Sequence, residues 1–221
     1  AGLSTWHPLA DDLVAAVEDL DEANGTGPIV GLGHSLGAVV TVYAAVARPE
    51  LFGRLVLIDP VFIEPRHLAA MAAEGDGGDS PRAALVRGAV GRREHWADAD
   101  DAFRHFRPKP VFTRFDDAAL RDYVAGALTE DVADSGAGDR VGGLTLAIPR
   151  DWEAQIYRTP PTDVWDVLPR LTVPTLAIRG AESDTLSTAA WQRWQTLQPA
   201  ATFVEIEGVG HLLPFEAPAA V

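Results

Sequence analysis

Hydrophobic positions change their period several times along the first sixty residues, and each change marks an element. Leu9, Leu13, Val17 and Leu20 recur at three- and four-residue spacing, which predicts a helix. Pro8 stands near its first position, Asp11 and Asp12 fall in its expected first turn, and Asn24-Gly25-Thr26-Gly27 ends it. The short apolar run Pro28-Ile29-Val30-Gly31-Leu32, bounded by glycine, reads as a buried parallel strand. After Gly33-His34-Ser35-Leu36-Gly37 an apolar helix is expected from Ala38 to Ala47, stopped by Pro49. Leu55-Val56-Leu57-Ile58 is a second uninterrupted strand, closed by Asp59-Pro60. Strand, helix and strand in this order predict a right-handed βαβ unit in a covered parallel sheet.

The pattern then turns helical. Ser80-Pro81 is an N-cap and first-turn signal ahead of Leu85, Val86, Ala89 and Val90. Asp117, Leu120, Tyr123, Val124 and Leu128 mark another helix, and Asp98-Ala99-Asp100-Asp101 reads as a solvated helix start. Glycine-rich loops are expected at Gly75–Asp79 and Gly136–Gly143, and the stretch is rich in aromatics without a clear buried strand. Sheet signals return with Val173–Ile178, a helix from Ala189 to Leu197 and a last strand at Thr202–Ile206. The expected organisation is an α/β core over 1–60, a helical insertion over 61–165 and the rest of the core over 166–221.

Composition acts mainly by exclusion. A chain of 221 residues suits one domain, or one domain with a sizeable insertion. Zero cysteines rule out disulfide-stapled and zinc-thiolate architectures. No apolar run approaches the roughly 20 residues of a membrane span, and no basic, then apolar leader opens the chain, so a cytoplasmic protein is expected. A net charge of −14 argues against nucleic acid and anionic membrane surfaces as partners. His7, His67, His95 and His105 show no metal-ligand spacing, so no metal and no cofactor are expected.

The chemistry centres on Gly33-His34-Ser35-Leu36-Gly37, a G-x-S-x-G pattern at the end of one predicted strand and the start of a helix. A serine on such a turn projects its hydroxyl from the sheet rim, the flanking glycines allow close approach, and the Leu36 N–H faces the position of a developing oxyanion. A serine needs a base and a carboxylate to become a nucleophile. His211 follows the last strand in a loop sharpened by Gly208 and Gly210, and Asp184 follows the preceding strand. Both fall on the strand rim that carries Ser35, in the order Ser, Asp, His. Glu182 and Asp59 compete with Asp184 for the carboxylate role. Two other readings compete with the whole set: Ser35 as an ordinary N-cap, and Gly31 to Gly37 as a dinucleotide loop with Asp59 on a ribose.

Through Gly33-His34-Ser35-Leu36-Gly37, Leu57-Ile58-Asp59-Pro60, Ile178–Asp184 and Gly210-His211, the sequence resembles the serine-nucleophile α/β-hydrolases. The resemblance covers roughly 1–60 and 170–215 and implies that 61–165 is the family's helical cap. It further implies Ser35 as nucleophile, His211 as general base, Asp184 as the residue orienting it, and acyl transfer through an acyl-enzyme. His34, Trp152 and Tyr157 become candidates for lining a pocket for a small acyl substrate. Carbon–carbon bond hydrolysis, lactone hydrolysis and a non-catalytic ligand-binding role are the alternatives. In that family several strands, and a loop giving a second oxyanion donor, precede the first helix found here. The resemblance therefore implies that the chain is a portion of a longer protein, with the Ile29 strand left as an uncovered apolar edge.

Overall fold

The computed structural model describes residues 3–25, 27–74, 78–131 and 143–221. In chain order its elements are α1 (His7–Asn24), β1 (Ile29–His34), α2 (Leu36–Ala47), β2 (Phe52–Ile58), α3 (Pro65–Glu74), α4 (Pro81–Val90), β3 (His95–Trp96) and α5 (Ala99–Phe106). They continue with α6 (Asp117–Ala127), β4 (Leu128–Glu130), β5 (Leu144–Leu146), α7 (Arg150–Arg158) and α8 (Val164–Val167), then β6 (Thr175–Gly180), α9 (Thr188–Leu197), β7 (Thr202–Ile206) and α10 (Leu213–Glu216). Most of the two expected glycine-rich loops lies outside the described residues.

The chain divides into two compact units, Ala1–Gly75 with Thr159–Leu213, and Asp76–Arg158 with Pro214–Val221. The second unit is therefore narrower than the insertion expected over 61–165, and it includes the C-terminal segment expected in the core. Side chains explain both shifts. Trp165 donates its Nε1–H to the Ile63 carbonyl (2.8 Å) and meets Phe62 edge-on, so these flanks stay in the first unit. Phe215 stacks on Phe115 at 5.0 Å and Arg114 pairs with Glu216, which anchors the C-terminal segment in the second.

In the first unit β1, β2, β6 and β7 form a four-stranded parallel sheet in that order. Leu55 and Leu57 on β2 and Ala177 on β6 are essentially inaccessible, as uninterrupted apolar strands between parallel neighbours should be. The helix α2 is apolar all round and buried from Ala38 to Ala45. At β1 the expectation of full burial fails. Its glycines Gly31 and Gly33 are buried, but Val30 and Leu32 on the opposite face are 61% and 67% exposed among the described residues. The covered face of this edge strand is the glycine face. The helix α1 begins at His7, so Asp11 and Asp12 sit beyond its first turn, and Gly25 closes it at φ 59° with its N–H on Asp21.

The second unit is mostly helical, with the expected caps: Ser80 accepts the Ala83 N–H on α4 and Asp98 that of Asp101 on α5. It also contains a small antiparallel sheet, β3-β5-β4, that the pattern did not predict. Strands of two and three residues are too short to display a period of two.

Candidate active site

Ser35 occupies the step from β1 to α2. The β1–β2 ladder runs on past His34 opposite Ile58, and the Ser35 N–H donates to the Ile58 carbonyl at 3.0 Å. Its backbone then turns sharply, with φ 57° and ψ −119°, a conformation that side-chain-bearing residues rarely adopt. The turn is tight because Gly33 lets α2 close in: a Cβ there would stand 2.5 Å from the Gly37 carbonyl oxygen. A Cβ added at Gly37 would meet no described atom within 4 Å, so the close approach demands glycine at Gly33 and not at Gly37.

His211 reaches Ser35 from the loop after β7. Gly208 bends this loop at φ 74°, and the Glu182 N–H donates to the Val209 carbonyl at 2.9 Å. The loop lies directly against Gly180, where a Cβ would come within 2.3 Å of the Gly210 carbonyl oxygen. His211 Nε2 is 2.9 Å from Ser35 Oγ and its Nδ1 is 2.8 Å from Asp59 Oδ1. A carboxylate only accepts, so Nδ1 donates to Asp59, which leaves Nε2 as the ring nitrogen that faces the serine hydroxyl.

The carboxylate on His211 is thus that of Asp59, at the end of β2, and not that of Asp184. Asp59 is 0% exposed, has φ 41° and donates its N–H to the Ile178 carbonyl at 2.8 Å. Its Oδ2 accepts the Gly180 N–H at 3.0 Å, and its Oδ1 accepts the Ser183 hydroxyl at 2.6 Å beside His211. Asp184 is exposed, and its Oδ1 accepts the Thr185 hydroxyl at 3.3 Å. The cause is a turn directly after β6, in which the Ser183 N–H returns to the Gly180 carbonyl. That turn aims Ser183 inward and leaves Asp184 and Glu182 at the surface.

Of the other residues singled out, Leu36 opens α2, so its N–H is among those a helix start leaves without an intrahelical acceptor. His34 lies beneath the turn and donates Nε2–H to the His211 carbonyl at 2.8 Å. Burial pushes its imidazole below the ordinary value, while that hydrogen bond acts in the opposite sense. Trp152 and Tyr157 both lie on α7 in the second unit. Trp152 is half-exposed, and the Tyr157 hydroxyl donates to Glu153, which also pairs with Arg92. Among the described residues no group of His, Asp and Glu side chains is placed to hold a metal ion, and no helix is long and apolar enough to cross a membrane. Sequence reasoning passed over Ser183, for which a hydroxyl next to an eye-catching aspartate was the only signal.

A helix-crossed parallel sheet with a serine on its strained strand-to-helix turn is the architecture of an α/β-hydrolase. The alpha/beta hydrolase family pattern matches residues 1–221, and the chain belongs to that family. It is 38% identical over 106 residues to lipase LipV of Mycobacterium tuberculosis (strain ATCC 25618 / H37Rv), a match spanning 45% of this chain and 39% of that lipase. The fold is similar to that of E-2-(acetamidomethylene)succinate hydrolase, with a TM-score of 0.75 at 23% identity, covering 99% of this chain and 71% of the other. It is also similar to a thermophilic esterase from Thermogutta terrifontis, with a TM-score of 0.60 at 21% identity and coverage of 99% and 70%.

Proposed function

We propose that the chain belongs to a hydrolase that cleaves carboxylic esters or related acyl compounds through Ser35, His211 and Asp59. The observation that carries this reading is the unbroken hydrogen-bond path from the Asp59 carboxylate through both nitrogens of His211 to Ser35 Oγ. His211 Nε2 takes the Ser35 proton as Oγ attacks the acyl carbon, and Asp59 holds the ring in the required tautomer and balances the imidazolium charge. The Leu36 N–H stabilises the oxyanion at the mouth of α2. The imidazolium then returns its proton to the leaving group, which leaves an acyl group on Ser35. Water deprotonated by His211 releases the acid and restores the serine. The resemblance to a lipase and to an esterase supports acyl substrates over other targets of the fold.

A fluorophosphonate probe tests the reading directly. Covalent labelling of the full chain that disappears in Ser35→Ala is the expected result. Absence of labelling in a folded protein would instead favour a ligand-binding role for the same fold.

A further inference from the structure

The candidate acid does not stand alone. We infer that Ser183 is a positioning residue of the same reaction, its hydroxyl proton locking the Asp59 carboxylate into the orientation that receives His211. This rests on the hydrolase reading above. The Ser183 oxygen accepts the N–H groups of Thr185 at 3.2 Å and Leu186 at 3.0 Å. A hydroxyl has two acceptor positions and one proton, so the remaining proton points to Asp59 Oδ1, 2.6 Å away.

Two donors on two oxygens fix the plane of a carboxylate. Ser183 holds Oδ1 and the Gly180 N–H holds Oδ2, so His211 Nδ1 meets an acceptor that cannot rotate away. Asp59 is wholly buried, which denies water the means to replace a missing donor. The turn supplying Ser183 is itself anchored: buried Arg179 donates Nε–H to the Leu186 carbonyl at 2.8 Å, donates to Thr188 Oγ1 at 3.2 Å and pairs with Glu205. Support thus runs from Arg179 through the 183–186 turn to Ser183, and from there to Asp59.

A purely structural serine would only close this turn. Hydrolysis of p-nitrophenyl acetate by the full chain separates the two roles. Ser183→Ala is expected to lower kcat about 10- to 100-fold, the loss of one charge-assisted hydrogen bond, with KM within about twofold. Ser183→Thr, which keeps the hydroxyl, restores kcat to within about threefold. In an Asp59→Asn background Ser183→Ala adds no further loss, because the group through which it acts is already disabled. Wild-type kcat in Ser183→Ala, an equal loss in both backgrounds, or a Thr variant as slow as the Ala variant would each overturn the assignment. If Ser183→Ala does not fold, Ser183→Cys serves: a similar shape with a weaker donor should melt as wild type yet lose kcat several-fold, and an unchanged kcat overturns the proposal. Ser35→Ala run alongside keeps the two readings apart. Activity retained there removes the hydrolase reading and this one with it, whereas an inactive Ser35→Ala beside an unaffected Ser183→Ala removes the positioning role alone.

Discussion

His34 grips the backbone of His211: its Nε2–H donates to the His211 carbonyl at 2.8 Å, and the two rings lie 4.9 Å apart. The residue before the candidate nucleophile therefore fixes the loop that delivers the candidate base. That carbonyl can only accept, so His34 carries a proton on Nε2, and burial favours the neutral form of its ring.

Burial lowers the pKa of His34 from the ordinary 6.5, and this gives stability a pH dependence with a definite sign. Near pH 6.5 the unfolded chain takes up a proton at His34, while the folded chain resists it until a lower pH. Stability contributed by neutral His34 is full above that range and falls as pH drops through it towards the folded-state value. Thermal melts at pH 8 and pH 5.5 should therefore differ more for wild type than for His34→Gln, whose amide can still donate to the carbonyl. Parallel shifts in the two proteins would contradict the assignment.

The two aspartates should separate cleanly in a labelling experiment. Asp59→Asn is expected to slow fluorophosphonate labelling of Ser35 by about 10³–10⁴-fold, because an amide that donates to Nδ1 stabilises the wrong imidazole tautomer. Asp184→Asn, on an exposed side chain, should change the rate by about twofold or less. The reverse ranking would show that Asp184 orients the base.

Much of this arrangement is legible in the sequence, and the failures have local causes. Runs such as Leu55–Ile58, in which Leu55, Leu57 and Ile58 are buried, announce a strand without help from tertiary structure. The Gly33-to-Ser35 step is legible because steric demand leaves few residue types that fit it. The carboxylate that meets His211 is not legible, for a subtler reason. Asp59 and Asp184 each follow a rim-ending strand, and the choice between them depends on backbone angles: φ 41° at Asp59, and a turn that points Ser183 rather than its neighbour inward. Neither angle has a signature in residue type. Which face of β1 is covered has no signature either, because glycines alternating with apolar residues look the same whichever face is exposed.

The glycines flanking Ser35 should tolerate substitution very differently. Gly33→Ala drives a Cβ into the Gly37 carbonyl and is expected to destabilise the fold by about 3 kcal/mol, the upper range for overpacking. Gly37→Ala places a methyl where no described atom lies within 4 Å, on a helix that gains from the exchange by up to about 1 kcal/mol. Denaturant melts of the two variants provide the check, and equal destabilisation would refute the asymmetry.

Strain at Ser35 yields a last measurable contrast. Its φ of 57° with a side chain present costs about 1–3 kcal/mol, which alanine retains and glycine relieves. Ser35→Gly should melt above Ser35→Ala by about 2–12 °C, although both lose labelling. Equal melting temperatures would mean that the turn is not strained.

The place of Asp59 directly after β2 also shapes how such a site can be inherited. Ser35 and Asp59 end neighbouring strands of one contiguous βαβ block, and the ladder pairing His34 with Ile58 lies wholly inside it. A recombination event with its crossover between Asp59 and Gly180 would carry Ser35 and Asp59 together at an unaltered spacing. His211 and the Gly180–Ser183 turn that holds the Asp59 carboxylate would then come from another lineage.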